Sequence, residues 1–467
     1  MTVPELVHRF MANMADLGGV VVQDQPKLDL DLYIQNYAGR TRFDRLLHIG
    51  KTSVYHCADA LKAAVIEAKA GSDVACYSEA WECLSQVAPD DPEAQKDDAW
   101  IEKTEAENKA ETIRLENELK GYKNNLIKES IRMGNEDLGK HFEKIGRLNE
   151  ATEAYSRMRQ DVSTAKHIFD CGMHLANVSL HRRDYAMVLN NIGKVTSVQD
   201  EDDDKTLQVY TVIAAGIAFL GLARFEEAAK TFLRTDFNMP VTAYNHIASP
   251  NDIAVYGGLL ALATMDRKEL QADVLDNQSF RTFLEHEPHI RKAIGFFVSG
   301  RYSSCLSILA ASRSDYLLDI NLHKHISAIY SKIRSKCIVQ YFIPFSCVAL
   351  DSLDAAFARP GTSTSQEVIE MIRNGSLKAR IDAKNKLLVA VRPDSREMMH
   401  YNALQVARQY EKEAKERLRR ISLAVAGLDS INAPKSTPGA LVGPGVDESW
   451  YEEERDTPHR SGIEALG

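Results

Sequence analysis

The sequence predicts a chain dominated by α-helix: a helical-repeat solenoid of the tetratricopeptide type, then a winged-helix module, then one long C-terminal helix. Three observations carry this. First, Gly139, Phe142, Gly146, Arg147, Leu148, Glu150, Ala151 and Tyr155 return 77 positions later as Gly216, Phe219, Ala223, Arg224, Phe225, Glu227, Ala228 and Phe232. A weaker copy (Ala176, Asp184, Tyr185, Val188, Ile192) lies between, giving spacings of 37 and 40 residues. That is the length of a two-helix unit, which must stack on neighbours to bury its apolar face. Second, two short helical patterns and a β-hairpin pattern follow one another after Asp351. Third, Ala407, Tyr410, Ala414, Leu418, Ile421, Val425 and Leu428 step by three and four, as in a bundle or coiled-coil seam.

In chain order, residues 31–70 carry helical periodicity around Leu46, Leu47, His48 and Ile49, broken at Gly71-Ser72. Val74, Tyr77, Trp81 and Leu84 resume it to Pro89 and Pro92. Half of residues 93–120 are charged, so an exposed helix is expected there, with Leu115, Leu119, Tyr122 and Leu126 as a narrow apolar stripe. Beyond the repeats, helices are expected over 252–265, 280–298, 302–311 and 322–342, the last ended by Pro344. Asp351 can cap a short helix that buries Leu353, Ala356 and Phe357. Thr364-Ser-Gln-Glu367 reads as a capping box for the next, which Asn374-Gly375 stops. Leu377, Ala379 and Ile381 alternate with charged residues, a half-buried strand. Leu387, Val389 and Val391 form the return strand, and Ser346–Leu350 could add a small first one. The final helix spans about Ser395 to Ala426. The last 41 residues hold 10 Gly or Pro, carry a net charge of −5 and are expected to be disordered. The expected divisions are an N-terminal helical region (1–92), a solenoid (93–312), the winged-helix domain (313–393), a bundle helix (394–426) and an acidic tail (427–467).

Composition excludes several function classes. The 467 residues are 44% hydrophobic and 26% charged, normal for a globular protein of several units. No apolar run is long enough to span a membrane, and MTVPELVHRF is not a secretory signal. Seven scattered cysteines form no CxxC pair, which fits a reducing compartment. The net charge of −9 argues against broad nucleic-acid binding. Residues 359–392 do carry seven bases (Arg359, Arg373, Lys378, Arg380, Lys384, Lys386, Arg392) against three acids, but no interleaved aromatics. Lys415–Arg420 fits the outer face of the seam better than a nuclear signal.

Catalytic sets are absent. His323-Lys-His325 could open a metalloisopeptidase signature, but the places of its Ser and Asp hold Ile333 and Lys336. A polar helix start is the expectation. Tyr256-Gly-Gly258 lacks phosphate-loop spacing and suits close helix packing. Asp200–Asp204 lacks the Gly and terminal Glu of a calcium loop. Cys305 and Cys347 are expected to be buried structural thiols. No metal, cofactor or catalytic residue is assigned.

A helical solenoid feeding a winged helix and a long terminal helix resembles the PCI scaffold family of the proteasome lid, the COP-nine signalosome and a translation initiation factor. The residues carrying the resemblance are Asp252–Arg267, Ser279–Leu284, Arg301–Leu306, Leu317–Asp319, Ile333-Arg334, Ile338–Phe342 and Ala379–Asp382 through Lys386–Leu388. Ser163–His167 and Asp170-Cys171 are similar to the signalosome branch. Likeness covers roughly 30–425, departs at Val391-Arg-Pro393 and stops at the tail. It implies a non-catalytic scaffold subunit of the signalosome, which removes a ubiquitin-like modifier from cullins, its isopeptidase lying in another subunit. Implied partners are the other PCI subunits and, through the complex, cullin-RING ligases, in cytoplasm and nucleus, with no membrane and no nucleic acid. Alternatives are a proteasome-lid subunit, or a nucleic-acid adaptor in translation or mRNA export. The expected interface residues are Leu377, Ala379, Ile381, Leu387, Val389 and Val391 on the wing, and Ala407, Tyr410, Ala414, Leu418, Ile421 and Val425 on the terminal helix.

Overall fold

The computed structural model describes residues 5–197, 205–357, 363–391 and 395–426. Asp200–Asp204, Arg359, Arg392 and the tail from 427 therefore lie outside the described residues. The chain forms two compact units, Met1–Val391 and Arg392–Gly467.

The first unit opens with α1 (Glu5–Asp16), α2 (Leu30–Ile34), α3 (Arg40–Thr52), α4 (Cys57–Ala70) and α5 (Val74–Val87). The periodicity expected to run through 31–70 is broken twice. Gly39, at φ 64°, starts α3 in a conformation that costs other residues energy. At Ser53 the main chain leaves the helix to pair with Val22, whose N–H donates to Thr52 O at 2.8 Å and whose C=O accepts from Val54 at 3.1 Å. Phe10, Leu46, Ile49, Leu61, Val65, Tyr77 and Leu84 form this region's core, which also takes in Leu318 from far along the chain.

Next come α6 (Asp98–Asn124), α7 (Lys128–Lys144), α8 (Leu148–Met158), α9 (Ala165–His181), α10 (Tyr185–Thr196), α11 (Lys205–Gly221) and α12 (Phe225–Leu233). They continue through α13 (Pro250–Thr264), α14 (Arg267–Glu269), a π-helical turn at Leu270–Leu275, α15 (Gln278–His286), α16 (Pro288–Val298) and α17 (Tyr302–Ala311). Of the stripe expected on α6, Leu115 and Leu119 are buried, whereas Tyr122 and Leu126 are exposed. The helix expected over 280–298 is split where Pro288 removes a backbone donor.

The repeat has a physical basis in side-chain fit. A Cβ on Gly139 would lie 2.5 Å from the Tyr155 ring, and one on Gly216 would lie 2.7 Å from Phe232. Small residue and aromatic therefore interlock between α7 and α8, and again between α11 and α12. The turns match too. Gly146, Arg183 and Ala223 all take positive φ, and the following residue's N–H reaches back five residues at 2.9 Å: Arg147 to Phe142, Asp184 to Ser179, Arg224 to Phe219. A fourth copy, which the sequence pattern missed, joins α16 to α17. Gly300 has φ 78° and Arg301 N–H donates to Phe296 O at 2.8 Å.

Helix α13 is the hub. Every residue from Pro250 to Ala263 except Asn251 is buried. Gly257 and Gly258 admit the Phe280 ring and Ile290, which is the close packing expected of Tyr256-Gly-Gly258.

After α18 (Arg313–Leu317) and α19 (Ile326–Phe342) come β1 (Cys347–Ala349), α20 (Leu350–Phe357), α21 (Ser365–Arg373), β2 (Ala379–Asp382) and β3 (Leu387–Ala390). The sheet is antiparallel in the order β1-β3-β2, which is the winged helix. Four local expectations fail. His323 and His325 lie in the turn before α19, not on a helix. Thr364 caps nothing: its hydroxyl and N–H both donate to Asp354, while Glu367 is held by Arg334 at 2.8 Å. Asp351 falls in the first turn of α20, one residue inside the helix. Cys347 is exposed, unlike buried Cys305. In the second unit, the described residues form one helix, α22 (Ser395–Val425).

The interlocking glycines give a paired test. Gly139→Val should lower stability by about 1–3 kcal/mol, since the ring of Tyr155 must move. Gly193→Ala, on α10 with open space around it, should raise stability by up to about 1 kcal/mol. Urea denaturation of the two variants measures both, and equal effects would show that the fit is not specific.

Candidate functional site

Arg45 lies at the centre of a buried polar cluster that joins three distant stretches of chain. Its side chain is 1% exposed. Nη2 meets Asp252 Oδ2 at 2.8 Å and Nη1 meets Asp319 Oδ2 at 2.8 Å. Nη1 also donates to the Tyr33 hydroxyl, and the guanidinium lies 4.1 Å over the Tyr37 ring. Each carboxylate is further satisfied. Asp252 accepts from Tyr37 OH at 2.8 Å and from Ser249 N–H at 3.0 Å, within the capping box that opens α13. Asp319 accepts from Tyr256 OH at 2.7 Å and from the N–H groups of Asn321 and Leu322. Burial pushes the Asp252 carboxyl up, to about 6, against the pull of Arg45. Burial acts on Asp319 as well, but Arg45 and the donors around it hold that carboxyl below its ordinary range. Burial raises Tyr37 and Tyr256, so both remain hydroxyl donors.

Neutral imidazoles surround the same joint. The His48 ring lies 4.5 Å from that of His323 at a tilt of 41°, and burial together with that neighbour lowers His48 to about 3. His181 is lowered to about 4 by burial, Arg40 and His246. His325 instead meets the edge of Phe225, so the two histidines of the HxH pair point to different neighbours. Among the described residues, no group of three or more His, Cys, Asp or Glu is placed to hold a metal ion. A cavity of about 560 Å³ opens between the N-terminal helices and the solenoid, lined by Arg40, Asp73, Lys140, Glu143, His181 and His246, with opposite charges in balance.

The wing places its expected residues differently. Leu377 and Ala379 are buried, with Leu388 beside them at 0% exposure. Their side chains serve the winged-helix core and cannot face a neighbour. Ile381 and Leu387 are half-buried. Val389 and Val391 point outward, at 40% and 39% exposure. The return strand is thus one residue out of phase with the expectation, and such a slip turns every side chain to the other face. Strand β3 is also interior. Ala390 N–H bonds Ser346 O on the β1 side, and Val391 N–H bonds Lys378 O on the β2 side. By the alternation of an antiparallel ladder, residues 378, 380 and 382 face β3, and the main chain of Ile381 faces the open edge. The strand able to take a neighbour is β2, not the Val389 strand.

On α22, Tyr410, Leu418, Ile421 and Val425 are 59–84% exposed, with Ala407 exposed and Ala414 half-buried along the same stripe. Glu411–Lys415 at 2.6 Å and Glu416–Arg420 at 3.9 Å are pairs one turn apart on its charged remainder.

Comparison with known proteins fits this architecture. A family model described as 26S proteasome subunit RPN7 matches residues 97–273, and one described as PCI domain matches residues 302–392. COP9 signalosome complex subunit 1 of Neurospora crassa is 50% identical over 433 residues, 92% of this chain and 95% of the relative. The Arabidopsis thaliana protein of that name is 35% identical, over 86% of this chain and 91% of its own. Subunit 1b of Drosophila melanogaster is 31% identical, over 85% of each. The chain belongs to the COP9 signalosome subunit 1 family.

The family models set the buried cluster in context. Asp252 lies within the first matched stretch, Asp319 within the second, and Arg45 precedes both. The cluster therefore ties the N-terminal helices of this signalosome family member to both matched stretches at one point. Sequence reasoning missed it. Asp252 and Asp319 stand in segments that carry the family resemblance, but a lone Arg in an amphipathic helix gives no sign of partners 207 and 274 residues away. A helix face reading Phe43, Arg45, Leu46, Ile49 was the available signal, since it places a cation where burial is otherwise apolar.

Two outcomes are expected. Arg45→Met should destabilise the chain by about 3–5 kcal/mol, because two buried carboxylates lose their cation. The measurement is denaturant unfolding at neutral pH. The second is acid sensitivity. His48 and His181 have folded pKa values below their unfolded value of about 6.5, so the unfolded chain binds more protons in that window. Their contribution is full above about pH 6.5 and falls as pH drops, by at most about 1.4 kcal/mol per unit per histidine, while the raised Asp252 carboxyl acts in the opposite direction below about pH 6. His48→Gln should flatten that slope in unfolding midpoints taken across the window.

Proposed function

We propose that this chain is a non-catalytic scaffold subunit of a signalosome, and that the complex removes a ubiquitin-like modifier from cullins and so regulates cullin-RING ligases. The observation that carries the reading is the relatives' shared name over most of the chain, 92% of it in the Neurospora crassa protein. Two features of the fold support it. Strand β2 leaves its outer main chain open for another strand, and an open edge favours pairing with a neighbouring sheet. The α22 stripe exposes apolar side chains that water disfavours by about 25 cal/mol per Å², so a helix bundle with other subunits is its expected setting. The isopeptidase is assigned to another subunit, because His323 and His325 diverge here. Edge pairing with a PCI neighbour through β2, and bundling through α22, are the contacts proposed.

Truncation after Asp394 should leave the melting of the first unit unchanged but abolish co-purification with partner subunits. Ile381→Pro should keep the fold, since that N–H faces away from β3, and should weaken assembly. Val389→Pro should unfold the wing instead, because β3 is bonded on both sides. Circular dichroism and co-purification of the three variants decide this. Undiminished co-purification by both of the first two would sink the proposed contacts.

A further inference from the structure

A second cavity, of about 500 Å³, shares a wall with the Arg45 cluster: Tyr33, Asp252, Tyr256 and Asp319 line it. Its volume is that of a small-ligand site. The segment 27–36 bounds it on one side, and α13 with the stretch from Glu287 to Leu322 on the other.

The charge of the lining is one-sided. Its charged members are Lys27, Asp29, Asp252, Glu287, Asp315 and Asp319. With Arg45 behind the wall, five carboxylates face two cations. Arg45 answers Asp252 and Asp319. Among the described residues, no Lys or Arg pairs with the other three. Asp29 Oδ1 caps α2, and Asp315 Oδ1 accepts the Lys27 main-chain N–H at 2.9 Å, so each keeps its Oδ2 for a further donor. Glu287 accepts from Asn251 at 2.7 Å and meets His289 Nδ1 at 3.2 Å, while His289 Nε2 meets the Tyr316 hydroxyl at 2.6 Å. Burial lowers His289, so it brings a hydrogen bond and no charge. Burial raises the Glu287 carboxyl, and the charges of Asp252 and Asp315 add to that against the Asn251 bond. A cation would relieve all three.

The lining also decides which cation. Among the described residues no three such groups are placed to share a metal ion. A flat ion that spreads five donors can reach carboxylates on different walls. The cavity's aromatic side chains, Tyr33, Tyr256 and Tyr316, favour a guanidinium over a strongly hydrated ammonium. Arg45 shows the combination at work, between two carboxylates and 4.1 Å over the Tyr37 ring. Free arginine would bring an α-carboxylate into a lining with one lysine to receive it.

We propose that this cavity receives the arginine side chain of a neighbouring polypeptide, its guanidinium shared by Asp29, Glu287 and Asp315 and its stem against the tyrosine rings. The site is independent of the contacts through β2 and α22.

Calorimetric titration of the purified full chain with acetyl-Gly-Arg-Gly-amide should show a single site. The same peptide with citrulline, the neutral isostere of arginine, should bind at least about tenfold more weakly, since charge-assisted bonds are lost. Asp315→Asn should weaken the arginine peptide to the same extent at an unchanged melting temperature, because Asn keeps the acceptor for Lys27 N–H. Lys27→Ala should tighten binding, a gain that damage to the fold could not produce. In the complex the chain purifies with, a photo-crosslinking phenylalanine in place of Leu32, a lining residue 64% exposed, should capture an arginine-containing peptide of another chain. The proposal is overturned by absence of peptide binding, by equal binding of the citrulline peptide, or by undiminished binding to Asp315→Asn. Tighter binding of free L-arginine or spermidine than of the peptide, or capture only of segments without arginine, would overturn it as well.

Discussion

One guanidinium sets the arrangement of this fold. The N-terminal helices have a core of their own, yet they meet the helical array through Arg45, whose partners Asp252 and Asp319 belong to the hub helix and to the approach to the winged-helix module. An apolar joint could slide. A fork of donors 2.8 Å from two carboxylates cannot, since a shift of one residue would leave three buried charges unpaired. The Asp252 capping box makes the point concrete. The carboxylate that starts α13 also receives Arg45, so the position of the N-terminal region and the beginning of the most buried helix are fixed by one side chain. Further bonds along the seam then follow: Ala38 N–H to Asn245 O, Thr41 hydroxyl to His246 O, and Lys27 N–H to Asp315.

The helical array was legible because its chemistry is local. Gly139 with Tyr155, and Gly216 with Phe232, are contacts between helices adjacent in sequence, so the period records the packing. The fourth copy escaped for a physical reason. Cys305 stands where Ala151 and Ala228 stand, and Leu309 where Tyr155 and Phe232 stand, so burial is kept while residue type is not. All four turns are nonetheless alike in backbone geometry. The left-handed residue is the more faithful marker of the repeat, and Arg183 and Ala223 conceal it because neither is glycine.

The wing shows how sequence can give an element and miss its phase. In β2 the charges on Lys378, Arg380 and Asp382 decide which side faces solvent, and burial of Ala379 follows. The run Leu387-Leu-Val-Ala-Val391 is apolar throughout, so alternation within it is silent. Cross-strand register decides instead: Leu388 sits opposite Ile381 and Val348 and is buried with Val348, while Val389 sits opposite Arg380 and Cys347 and turns outward with them. Buried ion pairs are harder still, because nothing in the residues around Arg45 names a partner hundreds of positions away.

The elements with unsatisfied surface share a property that bears on how the chain works. Interior β3 has both ladders filled, the turns of the solenoid are closed, and the buried Arg45 is paired with two carboxylates. The open main chain and the longest apolar stripe are peripheral: the outer main chain of β2, the outer main chain of β1 at Cys347 and Ala349, and the apolar stripe of α22. A three-stranded sheet has two edges, and edges on opposite sides of one module allow two different neighbours at once. Head-to-tail pairing of the kind proposed would close only when every member supplies compatible geometry. The orientation of the wing relative to the solenoid therefore matters, and Arg334 helps to set it, binding Glu367 of α21 and the Phe357 carbonyl of α20 from the last helix before the sheet. The rigid polar joints of the interior are thus what allow the open edges to present a fixed direction to a partner.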